Sequence, residues 1–238
     1  TESVCTYYKN RFNVDLSSNE VMSLYGSQEG LAHIGLSLCN KRDVVLVPNP
    51  GYPIFEIGPY LSGAEIIHYP LLSENNYLPD FKNMDEKILY KAKFMVVSYP
   101  LNPVCAIAPP DFYDELIKFA KKYNIIIIHD NAYSDIIYDG NIGGSFLSHK
   151  GAKEVGVEFY SLSKSFNITG ARVSFVLGNE EIINHFKMLR SQIDYGIFLP
   201  IQYAAIAALN GPQDSVKNHC MEYEKRRNAL CSGLREIG

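Results

Sequence analysis

Short apolar runs rich in β-branched residues recur along the chain, and stretches with helical spacing separate them. The apolar runs predict six strands, over 43–47, 64–69, 94–98, 125–129, 158–161 and 172–177. The remaining periodic stretches predict five helices, over 29–39, 111–123, 180–192, 200–209 and 214–237. Most of the apolar runs do not alternate with polar residues, which is typical of strands that are covered on both faces.

This order of elements predicts an α/β fold in which helices sandwich a mostly parallel sheet. Ligands bind such sheets beyond the carboxyl ends of the strands, so we expect functional residues in the loops that follow strands. We divide the chain into a large domain, 1–210, and a helix, 211–238, that leads towards a second domain. The helix contains the basic run 225–227, and we interpret it as a solvated helix rather than a binding element.

Composition and charge exclude several classes of protein. The 238 residues are 47% hydrophobic and 20% charged, as in ordinary globular proteins, and the net charge is −4 with scattered basic residues. We therefore expect no nucleic-acid partner, and the longest aliphatic run, 125–128, is too short to cross a membrane. The five cysteines include no C-x-x-C pair, which argues against a zinc site and indicates reduced thiols in a soluble, cytoplasmic protein. The start at Thr1, without methionine, is interpreted as the interior of a longer protein.

The strongest chemical signal is the segment Ser161-Leu162-Ser163-Lys164, with Arg172 eight positions after the lysine. A lysine that forms a Schiff base needs a neutral amine, which burial or a neighbouring cation favours. Ser161, Ser163 and Arg172 would donate hydrogen bonds to the ligand if the carbonyl compound carried a phosphate. The alternative is a surface loop of serine and lysine after a strand.

A second signal directly follows the aliphatic run 125–128. Asp130 would point into the crevice from the end of a parallel strand, where it could pair with a protonated pyridine nitrogen. Tyr133 could donate its hydroxyl to an oxygen on the same ring. The alternative is an aspartate that caps a helix, next to a packed tyrosine. We interpret His129 as a hydrogen-bonded core histidine rather than a catalytic one.

Three further loops contain candidate ligand contacts. Asn102 lies between prolines that restrict the backbone, so its amide could face the crevice. Ser27 and Gln28 open a helix whose free N–H groups and dipole favour a phosphate. Tyr52 follows a strand and could stack on an aromatic ring. Ordinary roles stay open for each loop: a proline-rich turn at Asn102 and at Tyr52, and a helix N-cap at Ser27.

Together these segments resemble the class I/II aminotransferases of pyridoxal 5′-phosphate (PLP) fold type I. The resemblance is strongest to the bacterial branch similar to LL-diaminopimelate aminotransferase. The matching segments extend over nearly the whole chain: YGSQEGLAH (25–33), VLVPNPGYPIF (45–55), ENNYLPD (74–80), HDNAYSDIIYDG (129–140), GVEFYSLSKSFNITGARVSFVLGN (156–179) and IQYAAIAALNGPQD (201–214).

The resemblance implies the large domain of a PLP-dependent transferase, with a seven-stranded sheet and with PLP as the cofactor. Lys164 would hold PLP as a Schiff base and would move a proton during the reaction. The other contacts implied are Asp130 with the pyridine nitrogen, Tyr133 and Asn102 with the ring oxygen, Tyr52 with the ring face, and Ser27, Gln28, Ser161, Ser163 and Arg172 with the phosphate.

The chain departs from the family pattern in three places. Asn102-Pro103-Val104-Cys105 replaces Asn-Pro-Thr-Gly, so the turn loses its glycine; Ala171 replaces a bulky aromatic residue, and Ser174 a common glycine. None of these changes removes an implied cofactor contact. Family members are also longer at both ends, and the small domain, with the arginine that binds the substrate's α-carboxylate, is largely absent from these 238 residues.

The resemblance implies an aminotransferase that moves an amino group between an amino acid and a 2-keto acid, and that forms a homodimer. Two alternatives stay open, because a fold and a cofactor do not determine a reaction. One is a PLP-dependent lyase, such as a carbon–sulfur lyase, on the same fold. The other is a PLP-binding module without catalysis.

Overall fold

Strands and helices alternate along most of the chain in the computed structural model, which describes residues 1–238. The strands are β1 (Val21–Leu24), β2 (Val44–Asn49), β3 (Glu65–Pro70), β4 (Ala92–Ser98), β5 (Ile126–Asn131), β6 (Gly156–Ser161) and β7 (Ser174–Gly178). The helices are α1 (Glu2–Phe12), α2 (Ser27–Leu38), α3 (Ile54–Leu61), α4 (Glu86–Leu89), α5 (Phe112–Tyr123), α6 (Ala152–Val155), α7 (Leu162–Ser165), α8 (Glu180–Arg190), α9 (Leu199–Asn210) and α10 (Asp214–Ile237).

All seven strands form one sheet in the order β1-β7-β6-β5-β4-β2-β3. The pairs β2–β3, β2–β4, β4–β5 and β5–β6 are parallel, whereas β7 runs antiparallel to both of its neighbours. The predicted α/β fold with a mostly parallel sheet between helices is therefore confirmed. The carboxyl ends of β4, β5 and β6 meet at the same edge of the sheet, where such folds bind their ligands.

Strand β4 shows why the sheet lies between two hydrophobic layers. Successive side chains of a strand point to opposite faces. Met95 and Val97 pack in the larger layer, which side chains of α1, α5 and α9 cover. Phe94 and Val96 pack in the other layer, which side chains of α2, α3 and α8 cover. Because both faces are covered, nearly every residue of β4 is buried and the strand has no apolar–polar alternation.

The predicted elements agree with the structure to within two residues at each end, but β1, α1, α3, α4, α6 and α7 were not predicted. Strand β1 and helices α4, α6 and α7 have only four residues each, and α1 was missed although its buried residues Val4, Tyr7, Tyr8 and Phe12 have helical spacing. Helix α3 follows a proline-rich turn and itself contains Pro59, which in a sequence indicates a helix break. No helix of the structure combines the length and the apolar character that crossing a bilayer requires.

Candidate active site

One cavity of about 290 Å³ brings together all ten residues that the sequence predicts for the site. It opens beyond the carboxyl ends of β5 and β6, beside the start of α2. The predicted residues that line it are Ser27, Gln28, Tyr52, Asn102, Asp130, Tyr133, Ser161, Ser163, Lys164 and Arg172. Leu31, Ala132 and Thr169 line it as well, and the sequence analysis did not single them out. Segments far apart in the sequence therefore converge on one space.

Lys164 reaches the cavity from α7, the short helix that directly follows β6. Ser161 caps this helix, because its hydroxyl oxygen accepts a hydrogen bond of 3.2 Å from the backbone N–H of Ser163. The Nζ atom of Lys164 lies 6.0 Å from the ring centroid of Tyr133 and forms no ion pair with a carboxylate. An amine that no carboxylate holds is free to react with a carbonyl compound in the cavity.

Asp130, near the end of β5, carries a buried carboxyl group with an unsatisfied oxygen. Its Oδ1 atom is inaccessible to solvent and has no hydrogen-bond partner within the protein. Burial raises the pKa of Asp130 to about 7, and the charge of Glu158 adds to the shift. Unpaired buried polar atoms are rare in native proteins and call for a partner. A cation in the cavity, such as a protonated ring nitrogen, would satisfy this oxygen.

The start of α2 and Arg172 form a seat of the right chemistry for a phosphate. The hydroxyl of Ser27 is buried and has no hydrogen-bond partner. Gly26, not Ser27, is the N-cap residue, so the alternative in which Ser27 caps the helix is wrong. Arg172 takes a left-handed backbone, with φ of 53°, and its Nη1 atom donates to the Thr169 carbonyl at 2.9 Å. The helix N-terminus, a free hydroxyl and a guanidinium group together favour a bound anion.

The remaining predicted residues line the walls of the same cavity. Tyr52 donates a hydrogen bond of 3.1 Å from its hydroxyl to Oε1 of Gln28. Tyr133 is half-buried; burial raises the pKa of its phenol, whereas a hydrogen bond with the Asn102 side chain opposes the shift. The phenol therefore keeps its proton near neutral pH and can donate it in a hydrogen bond.

The turn that contains Asn102 keeps a glycine-like shape without its glycine. Cys105 has a φ of 57°, in the left-handed region that glycine adopts without strain. Its N–H donates to the Leu101 carbonyl at 2.6 Å, and the N–H of Leu101 donates to the Ala106 carbonyl at 3.0 Å. The substitution of the family's glycine at 105 thus leaves Asn102 at the cavity.

His129 lies on the opposite face of the sheet from Asp130. It is fully buried, and its Nδ1 atom forms a 2.9 Å hydrogen bond with Oε2 of Glu158. This is the hydrogen-bonded core histidine that the sequence predicts. Glu158 was missed, although an acidic residue inside an otherwise apolar strand is a signal that the sequence contains.

Comparison with known proteins identifies the family. The family model described as aminotransferase class I and II matches residues 1–238. The chain belongs to the class I and II aminotransferases. The resemblance inferred from the motifs is therefore confirmed.

Curated aminotransferases match the whole chain, but the chain matches only part of each. The LL-diaminopimelate aminotransferase of Halothermothrix orenii is 48% identical over 238 residues, which are 100% of this chain and 61% of that protein. The enzyme of the same name from Dehalococcoides mccartyi is 44% identical with the same coverage. The chain thus spans about 60% of the length of these relatives.

Solved aminotransferase structures share the fold closely. The substrate-bound BacF structure from Bacillus subtilis has a TM-score of 0.95 and 39% identity, and covers 98% of this chain and 60% of its own. A probable N-succinyldiaminopimelate aminotransferase from Thermus thermophilus has a TM-score of 0.93 and 33% identity, covering 99% of this chain and 63% of its own. The predicted fold, that of PLP fold type I aminotransferases, is confirmed.

Proposed function

We propose that the whole protein is a PLP-dependent aminotransferase that moves an amino group between an amino acid and a 2-keto acid. The observation that supports this most directly is that Lys164 and Asp130 line one cavity, while a buried oxygen of Asp130 lacks a partner. A single pyridine ring bearing an aldehyde would meet both groups at once. Membership of the aminotransferase family supports the same reaction.

The side chains that line the cavity are complementary to the chemical groups of PLP. Gly26 has a φ of 87°, and a Cβ atom there would lie 2.1 Å from Nη2 of Arg172, so a side chain at position 26 would displace the guanidinium group. We propose that the phosphate lies at this seat, held by Ser27, Gln28, Ser161, Ser163 and Arg172. Tyr52 would contact one face of the ring. Tyr133 and Asn102 would donate to the ring oxygen, and Asp130 would pair with the ring nitrogen.

Each of these groups then has a defined task in the reaction. When bound, PLP supplies an aldehyde carbon and a ring that accepts electrons. Lys164 would hold the cofactor covalently and, as a free amine, would accept the proton that leaves the substrate's Cα. Proton transfer by a positioned side chain contributes about 10²–10⁴-fold to a rate. Asp130 keeps the ring nitrogen protonated, and Tyr133 and Asn102 orient the ring.

The substrates we propose are an amino acid and a 2-keto acid. No residue of this chain is assigned to the substrate's α-carboxylate. LL-diaminopimelate is the first amino donor to assay, because relatives at 44–48% identity are named for it. We further propose a cytoplasmic location, which the five unpaired cysteines support.

We also propose that the protein acts as a homodimer. Support comes from a run of exposed apolar side chains that leads into α9, comprising Tyr195, Phe198, Leu199 and Tyr203. Soluble monomers rarely expose large contiguous apolar patches. The Tyr25 hydroxyl donates to the Gly196 carbonyl, so this surface adjoins the segment that precedes the phosphate seat.

Replacement of Lys164 with alanine tests the proposed function. Since Lys164 supplies the only covalent link to PLP, we expect K164A to lose keto-acid production and to lose the PLP adduct that borohydride traps. Mass spectrometry of the reduced wild-type protein should find that adduct on the Lys164 peptide. The exposed residue Lys118 provides the matched control, K118A, which should retain both properties. Turnover by K164A at the wild-type rate, or an adduct on another lysine, would refute the assignment.

A further inference from the structure

Glu158 is a fully buried carboxylate in the middle of the sheet, outside the proposed cofactor cavity. Its Oε1 atom accepts hydrogen bonds from the Tyr8 hydroxyl at 2.8 Å and from the Ser145 hydroxyl at 2.7 Å. Its Oε2 atom bonds to Nδ1 of His129 at 2.9 Å and to the backbone N–H of Phe146 at 2.8 Å. Four groups from three different segments of the chain thus converge on one carboxylate.

These contacts keep Glu158 ionised inside the core. Burial alone would raise the pKa of Glu158, but the hydrogen bonds with His129, Ser145 and Tyr8 outweigh it and lower the pKa below its ordinary value. A carboxylate that accepts several hydrogen bonds is stabilised in its charged form. Glu158 is therefore a stable source of negative charge in the core.

His129 contacts a second tyrosine, Tyr113, in addition to Glu158. Its Nε2 atom lies 3.1 Å from the Tyr113 hydroxyl, which is buried and has no other hydrogen-bond partner. In the arrangement that we infer, Tyr113 donates to Nε2, and the imidazole is neutral with its proton on Nδ1. The imidazole then donates to Glu158, and the pair keeps one net negative charge.

The sheet places this charge directly behind Asp130. His129 and Asp130 are neighbours in β5, so their side chains point to opposite faces. In the parallel register His129 lies beside Glu158, and Asp130 lies beside Phe159. Glu158 thus lies on the far face of the sheet, one strand away, with only protein between it and Asp130. Electrostatic interactions weaken much less through protein than through water.

We propose that Glu158 is a positioning residue that acts through Asp130, because its buried charge strengthens the hold of Asp130 on a protonated ring nitrogen. The proposal rests on the proposed function, since it concerns the same cofactor. Burial and the charge of Glu158 both raise the pKa of Asp130, which is the direction the proposal requires. An anion behind Asp130 favours any cation or proton in front of it.

Other titratable groups surround the two carboxylates and are left unchanged in the test. Tyr8 from α1, Tyr113 from α5 and His129 from β5 face Glu158. Tyr52, Tyr133, Lys164 and Arg172 share the cavity with Asp130. A variant at position 158 leaves all these groups in place, so it measures the contribution of Glu158 alone.

The first experiment titrates Asp130 in the cofactor-free protein by side-chain carboxyl ¹³C NMR. Glu158→Gln keeps the size of the side chain and removes its charge, so the midpoint of Asp130 should move to lower pH. Glu154→Gln is the matched control, because Glu154 is an exposed carboxylate in an ion pair with Lys121. In E154Q the titration midpoint of Asp130 should equal that in the wild type. A midpoint for Asp130 that E158Q leaves unchanged would overturn the proposal.

The second experiment separates an electrostatic role from a merely structural one. It compares the affinity for PLP with the affinity for an analogue in which carbon replaces the ring nitrogen. The analogue cannot pair with Asp130, so E158Q should lower the preference for PLP, by roughly threefold or more, with each pKa unit corresponding to tenfold. Equal losses for both ligands would mean that Glu158 only supports the fold.

Two outcomes remain decisive if E158Q does not fold. In the wild-type protein, Glu158 must stay ionised from pH 5 to 9 by carboxyl ¹³C NMR, and ¹⁵N NMR must show His129 protonated on Nδ1 only. A neutral Glu158 or a doubly protonated His129 at pH 7 overturns the proposal. If only the proposal for Glu158 fails, K164A still loses activity. If the proposed function fails, K164A keeps its activity.

Discussion

At the scale of single residues, the proposed site contains groups that the fold alone does not satisfy. Oδ1 of Asp130 and the hydroxyl of Ser27 are buried without partners, although most polar atoms in the core have them. Glu158, which is buried as deeply, has four donors. The four donors stabilise the ionised form of Glu158. Asp130 and Ser27 instead face a cavity, where a ligand can supply the missing hydrogen-bond partners.

Asp130 should destabilise the cofactor-free protein above neutral pH. Its pKa is about 7 in the folded protein and about 3.9 in an unfolded chain. Between these values the folded protein holds a proton that the unfolded chain releases, so the stability contributed by this group falls as the pH rises from 4 to 7. At pH 8, D130N should be more stable than the wild type by up to about 4 kcal/mol, and the difference should vanish near pH 4.

Urea unfolding of the cofactor-free proteins at pH 4 and pH 8 measures this effect. D111N provides the control, because Asp111 is an exposed aspartate at the start of α5. D130N should also bind PLP more weakly, because the amide cannot pair with a protonated ring nitrogen as a carboxylate does. Equal stability of D130N and the wild type at pH 8 would contradict the assigned titration.

At the scale of elements, the short connections after strands position the site. Helix α7 begins directly after β6 and aims Lys164 into the cavity, and α2 begins two residues after β1 and aims its N-terminus at the same space. The start of α2 depends on Gly26, because a φ of 87° strains any other residue and because a Cβ atom there would displace the guanidinium group of Arg172.

Replacement of Gly26 by alanine should therefore weaken phosphate binding beyond its cost in stability. G140A is the matched control, because Gly140 also has a positive φ, 73°, but has no atom within 4 Å of the position of a Cβ. Both variants should lose about 1 kcal/mol of stability from backbone strain. Only G26A should also lose affinity for PLP, and each 1.4 kcal/mol of binding free energy lost at the phosphate corresponds to about a tenfold increase in Kd.

Calorimetric titration of PLP into both variants provides the measurement, with thermal unfolding as the reference for stability. If G26A and G140A bind PLP equally well, the phosphate does not lie between Gly26 and Arg172. The proposed seat would then be wrong, although the covalent role of Lys164 would be unaffected.

The elements also show what sequence patterns can and cannot predict. Buried parallel strands such as β4 and β5 are continuous apolar runs, so they were predicted to within two residues. Strand β1 was missed because four residues carry too little pattern, and α3 because Pro59 reads as a break. The direction of β7 could not be predicted, since an antiparallel strand covered on both faces has the same pattern as a parallel one.

At the scale of the whole molecule, the order of the strands in the sheet determines which residues meet in the cavity. Asn102 and Lys164 follow β4 and β6, and Asp130 lies near the end of β5. These strands are neighbours in the sheet, so predicting strands with polar residues at their ends was enough to group the three residues. The network around Glu158 could not be predicted in this way. Tyr8 comes from α1, which was not predicted, and Ser145 from an irregular loop.

The proposed homodimer makes a prediction for the molecule as a whole. Phe198 is 71% exposed and Tyr203 63% exposed, and both lie on the apolar surface that leads into α9. An aspartate at either position would have to lose its hydration on assembly, so F198D or Y203D should weaken the dimer. Because the Tyr25–Gly196 hydrogen bond joins this surface to the phosphate seat, the same variants should lose affinity for PLP when they become monomeric.

I142D is the matched control, because Ile142 is 80% exposed but lies far from α9 in the sequence, in the loop after β5. Sedimentation velocity of the full-length proteins should give a dimer for the wild type and I142D and a monomer for F198D. A wild-type monomer would remove the dimer from the proposal. A dimer of F198D that is as tight as the wild type would place the interface on another surface.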